Sequence, residues 1–172
     1  MAAPSKVLPG FSASLWTQTG ATPTTLTIAN LSVWAAQVAT IVGTSANGTG
    51  ASGTALNVEA VPVFGQDDAV ASFSVAGARQ SDKIPTQAAP TSLTITAAWN
   101  PTDAGLLLMR ADAYSGVIDR TFVVAAVDGV STIAYAFNGR VGEFKIDAQP
   151  GAEAKCIFTV HPRGGQYGWS NT

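Results

Sequence analysis

The chain is patterned mainly for β-strands, because apolar and polar residues alternate along much of its length. The clearest segment runs from Thr91 to Trp99, where every second residue is apolar and the residues between are mostly polar. Phe11 to Thr17 is a second candidate. Ile118 to Val127 is apolar at both odd and even positions, which predicts an interior strand covered on both faces. These patterns favour a mainly β domain.

One helix is predicted among the strands, in the segment WNPTDAGLLLMRADAYSG. Asn100 is a favourable N-cap, Pro101 a favourable first helical residue, and Gly116 a favourable terminator. These signals predict about three turns over residues 101–113. Asp112 is expected to face water. The predicted stripe that packs on the sheet consists of Ala104, Leu107, Leu108 and Ala111.

The segment from Ser131 to Asp147 changes phase, with apolar residues at odd positions up to Val141 and at even positions from Phe144. A flat strand cannot bury both sets on one face, so a bulge or bend is predicted at Gly142. The following strand must pair its even positions with the even positions of this segment, which requires a loop with an odd number of residues. Gln149-Pro150-Gly151 fits a three-residue loop with a left-handed glycine. The opposite face then carries mixed-sign cross-strand pairs among Glu143, Lys145, Glu153 and Lys155.

Composition sets limits on function. Of 172 residues, 47% are hydrophobic and only 12% charged, which suits one domain that buries surface against partners. The net charge of −2 gives no basic footprint for nucleic-acid binding. The single cysteine excludes an intramolecular disulfide, and the apolar stretch from Leu31 to Gly43 is too short to span a bilayer. Without a signal-peptide pattern, a soluble, intracellularly made protein is predicted.

Side chains suited to catalysis are sparse. His161 is predicted to be a surface residue and Cys156 a small buried hydrophobe. The adjacent carboxylates Asp67 and Asp68 favour a hairpin turn over a metal site, because no further ligands follow at suitable spacing. The sequence therefore predicts no enzyme, no metal and no cofactor. The four tryptophans are expected to be core or interface anchors.

Three segments lack a regular pattern. They are an N-terminal arm (about residues 1–10), a long loop (about residues 77–90) and a C-terminal tail (about residues 163–172). The tail is predicted to be either a flexible terminus or an arm that docks Tyr167 and Trp169 on a neighbour.

From Val58 to Gly164, the predicted elements follow one another in the segments VPVFGQDDAVASFSVAG, SLTITAAWNPTDAGLLLMRADAYSG, RTFVVAA, FNGRVGEFKIDAQPGAEAKCIFTV and a closing RGG. This order of elements resembles that of the tail tube proteins of long-tailed (siphovirus-type) bacteriophages. The resemblance implies a β-sandwich or partial barrel with one flanking helix and long loops. It also implies a structural virion protein of the phage tail, assembled in the host cytoplasm as hexameric rings that stack into a hollow tube.

The implied partners are other copies of the chain, the tape measure, the tail terminator and baseplate or tip proteins. Double-stranded DNA would pass through without sequence-specific binding, and no membrane insertion is expected. The inter-ring candidates are Asp67, Asp68, Arg79, Asp82 and Lys83. The channel-facing candidates are Glu143, Lys145, Glu153 and Lys155.

Two alternatives stay open at this point. One is a related ring or tube component, such as a tail terminator or a contractile-tail or secretion-system tube protein. The other is a β-sandwich carbohydrate-binding module that uses its tryptophans. Saturable quenching of tryptophan fluorescence by a sugar would favour the second alternative.

Overall fold

A computed structural model describes residues 12–20, 22–23, 41, 52–63, 66–73, 82–127 and 132–171. In these residues, eight strands and a three-turn helix follow one another along the chain. They are β1 (Ser12–Gln18), β2 (Gly53–Leu56), β3 (Gln66–Phe73), β4 (Asp82–Pro90), β5 (Leu93–Ala98), α1 (Ala104–Ser115), β6 (Asp119–Val127), β7 (Thr132–Asp147) and β8 (Lys155–Asn171).

Six strands form one antiparallel sheet in the order β2-β1-β6-β7-β8-β5, while β3 and β4 form a separate two-stranded sheet. The larger sheet is not closed into a barrel, and α1 flanks it. The predicted mainly β fold with one flanking helix is therefore confirmed. The doubly apolar segment forms β6, which lies inside the sheet between β1 and β7 as predicted.

The core lies between α1 and one face of the sheet, which we call the helix face. Leu106 and Met109 of α1 are fully buried against it. Phe122 and Phe137 are cross-strand partners whose rings stack with centroids 5.6 Å apart. On β5 the helix face carries Leu93, Ile95 and Ala97, all buried, which confirms the predicted alternation of that strand.

The predicted packing stripe of the helix is wrong at three of its four positions. Leu107 is 41% exposed and Ala104 and Ala111 are exposed, whereas Leu108 is partly buried and packs against the core. The buried residues are Gly105, Leu106, Met109 and Asp112. Positions 106–109 are all apolar, so hydrophobic spacing alone does not select the buried face.

The helix also begins later than predicted. Its N-cap is Asp103, whose carboxylate accepts bonds from the backbone N–H groups of Gly105 and Leu106 at 2.8 and 3.1 Å. Asn100 instead caps the preceding turn, where its side-chain oxygen accepts a bond from the Thr102 N–H at 3.0 Å. Gly116 ends the helix in the left-handed conformation, as predicted.

Asp112, expected in solvent, is buried in an ion pair with Arg120 of β6. The guanidinium binds the carboxylate through Nε and through Nη2, the latter at 2.9 Å. Its Nη1 donates to the backbone carbonyls of Thr19 and Gly20 at 2.8 Å each. The pair and these extra bonds join α1, β6 and the chain after β1, which satisfies the buried charges.

The phase change in β7 is confirmed as a bulge between Val141 and Phe144. Phe144 and Ile146 then pair with Phe158 and Cys156, the predicted even-to-even register. The loop between β7 and β8 has an odd number of residues, as predicted. It is longer than the predicted three residues, because Asp147 and Lys155 are the last pair and residues 148–154 lie between them. Gly151 has a φ of 79°, the left-handed conformation expected at this turn.

Three predicted irregular segments differ from the structure. Asp67 and Asp68 lie within β3 rather than in a turn, and residues 82–90 of the predicted loop form β4. Most of the predicted tail, residues 164–171, continues β8 and pairs with β7. The register between β7 and β8 shifts a second time at Phe137, where three residues of β8 lie opposite this one residue of β7. Two of the three are Gly164 and Gly165, which permit the irregular backbone. The predicted N-terminal arm lies outside the described residues.

Candidate assembly surface

The face of the sheet opposite the helix has two different halves. Near β1, β6 and the first half of β7, small and apolar residues are buried on it: Val123, Ala125, Ala134 and Ala136. Ile41 also approaches this side, because a Cβ on Gly53 would lie 2.8 Å from its Cγ2 atom. Near β5, β8 and the second half of β7, the same face is polar and largely accessible.

We call this accessible half the polar band. Strand register places its members on one face, because residues two apart in a strand, and directly paired residues, share a face. The band consists of Thr94, Thr96, Glu143, Lys145, Asp147, Lys155, Ile157, Thr159 and His161. It is rich in hydroxyl and charged groups.

Both lysines of the polar band are paired with carboxylates. Lys145 Nζ lies 2.6 Å from Glu143 Oε2, and Lys155 Nζ lies 2.6 Å from Glu59 Oε1. The hydrogen bond from Lys145 lowers the pKa of Glu143, and the hydrogen bond to Glu59 raises the pKa of Lys155. These pairs differ from the predicted cross-strand pairing: the partner of Lys145 is on its own strand, and that of Lys155 comes after β2.

A charged cluster lies beside the band at the start of β6. Asp119 accepts bonds from Arg140 Nε at 2.8 Å and from Arg163 Nη1 at 3.0 Å. The hydrogen bond from Arg140 lowers the pKa of Asp119, and the positive charge of Arg163 contributes further. Arg140 also donates to the carbonyls of Gly116 and Val117, so it holds the connection between α1 and β6.

His161 is exposed, as predicted. Its Nδ1 lies 2.9 Å from Ser92 Oγ, and its ring lies over Gly142 at the bulge. A Cβ on Gly142 would be 2.6 Å from the ring Nε2, so a larger residue at this position would require the exposed imidazole to move.

The two edges of the open sheet approach each other through one short segment. Leu56 ends β2 at one edge, and Val58, two residues later, forms an isolated antiparallel bridge with Ala97 of β5 at the other. The Glu59 N–H donates to the Thr96 carbonyl at 2.9 Å. Asn57 Nδ2 donates to Asp103 Oδ2 at 2.7 Å, which attaches the segment to the helix N-cap.

The predicted inter-ring residues are distributed over the β3–β4 hairpin. Asp67 and Asp68 are opposite Ala89 and Ala88 near one end. Asp82 and Lys83 lie at the other end, about 20 Å away along the strands. Arg79 is outside the described residues. The hairpin therefore does not bring the described members of this set together as one cluster.

The predicted channel-facing set is partly brought together. Glu143, Lys145 and Lys155 belong to the polar band, while Glu153 is exposed in the loop before β8. Its negative charge contributes to the raised pKa of Lys155. The sequence prediction missed Glu59, because the ion pair with Lys155 depends on tertiary contact between distant segments.

The outward side of α1 forms another exposed surface. Leu107, Tyr114 and Val117 are 41%, 74% and 71% exposed. Arg110 lies over the Tyr114 ring with its guanidinium carbon 5.7 Å from the centroid. Of the stripe predicted to be buried, Leu107 is thus available, with Tyr114 and Val117, for contacts outside the subunit.

Metal-ligating and thiol side chains are two kinds of group that could support other chemistry. No cluster of three metal-ligating side chains occurs in the part of the chain that the structure describes. Cys156 is buried, as predicted, and burial raises the pKa of its thiol. Trp99 packs edge-on against Phe144 on the helix face, whereas the strand register places Trp16 on the opposite face. These two tryptophans cannot form one sugar-stacking platform.

No protein-family model and no curated protein matches this sequence. Solved structures do share its fold. A chain of the anti-feeding prophage baseplate, in a six-fold symmetrised structure, aligns with a TM-score of 0.63 at 8% identity, covering 98% of this chain and 97% of that one.

Two further structures are similar. A chain from the sheath/tube terminator of the extracellular contractile injection system PVC aligns at a TM-score of 0.54 and 10% identity, covering 69% of this chain and 87% of that one. The SPP1 tail tube aligns at 0.52 and 12% identity, with coverages of 92% and 76%. At these identities the likeness establishes a shared fold. Among the described residues, no helix is long and apolar enough to cross a membrane.

Proposed function

We propose that this chain is a structural subunit of a bacteriophage tail tube, of the siphovirus type implied by the sequence resemblance. Copies join into hexameric rings, the rings stack, and the polar band lines the channel through which DNA leaves the virion. The shared fold with the SPP1 tail tube and with the anti-feeding prophage baseplate chain supports this assignment.

The observation that carries the proposal is the polar band with its neutralised lysines. A conduit for DNA must avoid unpaired cations, since each one attracts phosphates and releases counterions. Lys145 and Lys155 are both paired with carboxylates, and Asp147 and Glu153 add negative charge nearby. Such a surface repels a polyanion weakly and does not hold it.

The open sheet supports ring formation. Exposed strand edges favour association with another chain, and a ring satisfies every edge without leaving a free one. β2 and β5 form the two edges of the sheet, so each copy offers one of each to its neighbours. A head-to-tail contact of this kind generates a closed ring when the rotation that relates neighbouring copies returns the last copy to the first.

Negative-stain electron microscopy of concentrated purified protein tests assembly directly. Rings and hollow tubes are expected, and a species that remains monomeric at all protein and salt concentrations would contradict the proposal. Thiol labelling then tests orientation. Glu143→Cys should react with a small maleimide in tubes but lose reactivity toward a large polymer-linked maleimide on assembly.

Arg110→Cys on the exposed side of α1 is the matched control, and it should react with both reagents before and after assembly. Both substitutions lie on exposed positions, so the subunit is expected to fold normally. Protection of residue 110 with full reactivity of residue 143 would place the polar band outside the tube.

A second candidate is a ring at a tail end, such as a baseplate or terminator component. It is favoured by the baseplate chain, which matches nearly the whole length of this chain. The same micrographs distinguish the two functions: a tube subunit forms stacks of variable length, whereas an end component stops at one ring or a fixed small number.

A further inference from the structure

The bridge between the two sheet edges creates a conflict with ring assembly. We call Val58–Glu59 the strap. It covers the outward edge of β5 at Thr96 and Ala97, through the Val58–Ala97 bridge and the Glu59 N–H bond to the Thr96 carbonyl. A neighbouring copy that approaches this edge meets the strap first.

The strap begins directly beyond the opposite edge of the sheet. Leu56 pairs with Leu15 at the β2 edge, and only Asn57 separates it from Val58. Two residues span about 7 Å, so the strap always lies close to whatever strand is next to β2. In a ring joined edge to edge, that strand is the β5 of a neighbouring copy.

We propose that the strap is exchanged between copies when the ring forms: Val58 and Glu59 leave their own β5 and make the same contacts with the β5 of the neighbour. This inference rests on the proposed ring assembly. The exchanged contacts are the bridge to Ala97, the backbone bond to Thr96 and the ion pair to Lys155. Exchange of an identical element is an inexpensive route to association, because few contacts are lost overall.

The contacts on each side of the strap define where it moves. Leu56 is buried in the core and Asn57 is bonded to Asp103, so the chain remains attached to its own subunit up to Asn57. Glu59 and Lys155 are 38% and 42% exposed, and such a pair is weak enough to break and re-form. Asn57 is therefore the hinge.

Charge reversal across two copies tests the exchange without disturbing the core. Glu59→Lys places two cations together, and Lys155→Glu places two carboxylates together, so each variant alone should form several-fold fewer rings than wild type. An equimolar mixture should recover near-wild-type assembly, because alternating copies restore an opposite-charge pair at every interface. Normal thermal unfolding of each separate variant provides the folding control.

The mixture separates the inference from the proposed function. If wild type forms rings but the mixture forms no more than its separate components, the strap is not exchanged and the ring assignment stands. Single variants that assemble like wild type would likewise overturn the exchange. If wild type forms no rings under any condition, the proposed function fails first.

A disulfide provides an independent readout. Val58→Cys and Ala97→Cys, introduced together with Cys156→Ala, place thiols at paired positions of the bridge. Oxidation should give cross-links within the chain in monomers, and a ladder of covalent multimers in purified rings on a non-reducing gel. Rings whose thiols are fully oxidised but whose subunits migrate as monomers would overturn the exchange. If this variant does not fold, the charge-reversal mixture decides alone.

Discussion

Two ion pairs on opposite sides of the same sheet have opposite physical roles. Asp112 and Arg120 lie beneath the helix with side-chain exposures of 1% and 5%, whereas Glu143 and Lys145 are 69% and 68% exposed in the polar band. The first pair satisfies charges that the fold has removed from water, and breaking it leaves a buried charge. The second pair costs little to separate, since water replaces each partner.

This contrast divides the molecule into a part that determines folding and a part available for assembly. The helix face contains the buried core and the ion pair that positions α1. The polar band and the strap contain exposed pairs whose loss leaves the subunit folded. Substitutions on the helix face should therefore lower the stability of the subunit, whereas substitutions in the polar band and the strap should affect assembly.

The largest effect is expected from Asp112→Ala. It leaves the Arg120 guanidinium buried without its carboxylate, which should lower the free energy of unfolding by about 3–5 kcal/mol. Urea denaturation measures the loss. The double variant Asp112→Leu/Arg120→Met is the control and should recover much of the stability, because no charge remains buried. A loss below about 1 kcal/mol in the single variant would contradict the role of the pair.

The neighbouring leucines of α1 provide a matched test of the helix orientation. Leu106→Ala removes a fully buried side chain and should cost about 2–5 kcal/mol. Leu107→Ala truncates a side chain that is 41% exposed, so it should cost less than about 1 kcal/mol. Denaturant midpoints of the two variants give the comparison. Equal losses would mean that the helix packs through the stripe predicted from sequence.

A smaller, pH-dependent effect is expected at Asp119. The hydrogen bond from Arg140 lowers the pKa of this carboxyl below its ordinary value of 3.8. A lowered folded-state pKa stabilises the protein above the unfolded-state value, and that contribution is lost as the pH falls through the folded-state value. The stability difference between wild type and Asp119→Asn should therefore be constant above about pH 4 and shrink below it.

Acid titration of both proteins, followed by denaturant unfolding at each pH, measures this difference. The buried pair at Asp112 does not interfere, because it is present in both proteins. A difference that stays the same down to pH 2 would show that the Asp119 cluster contributes nothing through its charge.

Sequence alone predicted the strands well where one face is buried. Alternation located β5 and the interior strand β6, and the change of phase located the bulge at Gly142. The buried side of α1 was predicted incorrectly for a physical reason. Four consecutive residues, Leu106 to Met109, are apolar, so the spacing of apolar residues does not select one side of the helix. The deciding interaction is polar, and its signal was present, because Arg120 has the same phase as the buried Phe122.

The assembly surface was less accessible to prediction. Glu143 and Lys145 were identified from local spacing, but the strap contacts β5 residues nearly forty positions away, and the Glu59–Lys155 pair joins segments nearly one hundred positions apart. No local pattern specifies such a contact. The continuation of β8 through Gly164 and Gly165 was also hidden, because its pairing with β7 requires an irregular register.

The smallest effect on stability is expected from Glu143→Gln in the polar band. Its side chain is exposed, so the urea midpoint should not change measurably, in contrast to Asp112→Ala. The substitution nevertheless leaves Lys145 without its carboxylate. If the polar band lines the channel, tubes of this variant should retain more short duplex DNA than wild-type tubes, and the excess should disappear as salt rises.

Fluorescent DNA that cosediments with purified tubes measures retention, and Arg110→Gln on the helix is the matched external control. Unchanged retention in Glu143→Gln tubes would show that Lys145 does not meet the DNA, and a lowered midpoint would show that this pair belongs to the fold.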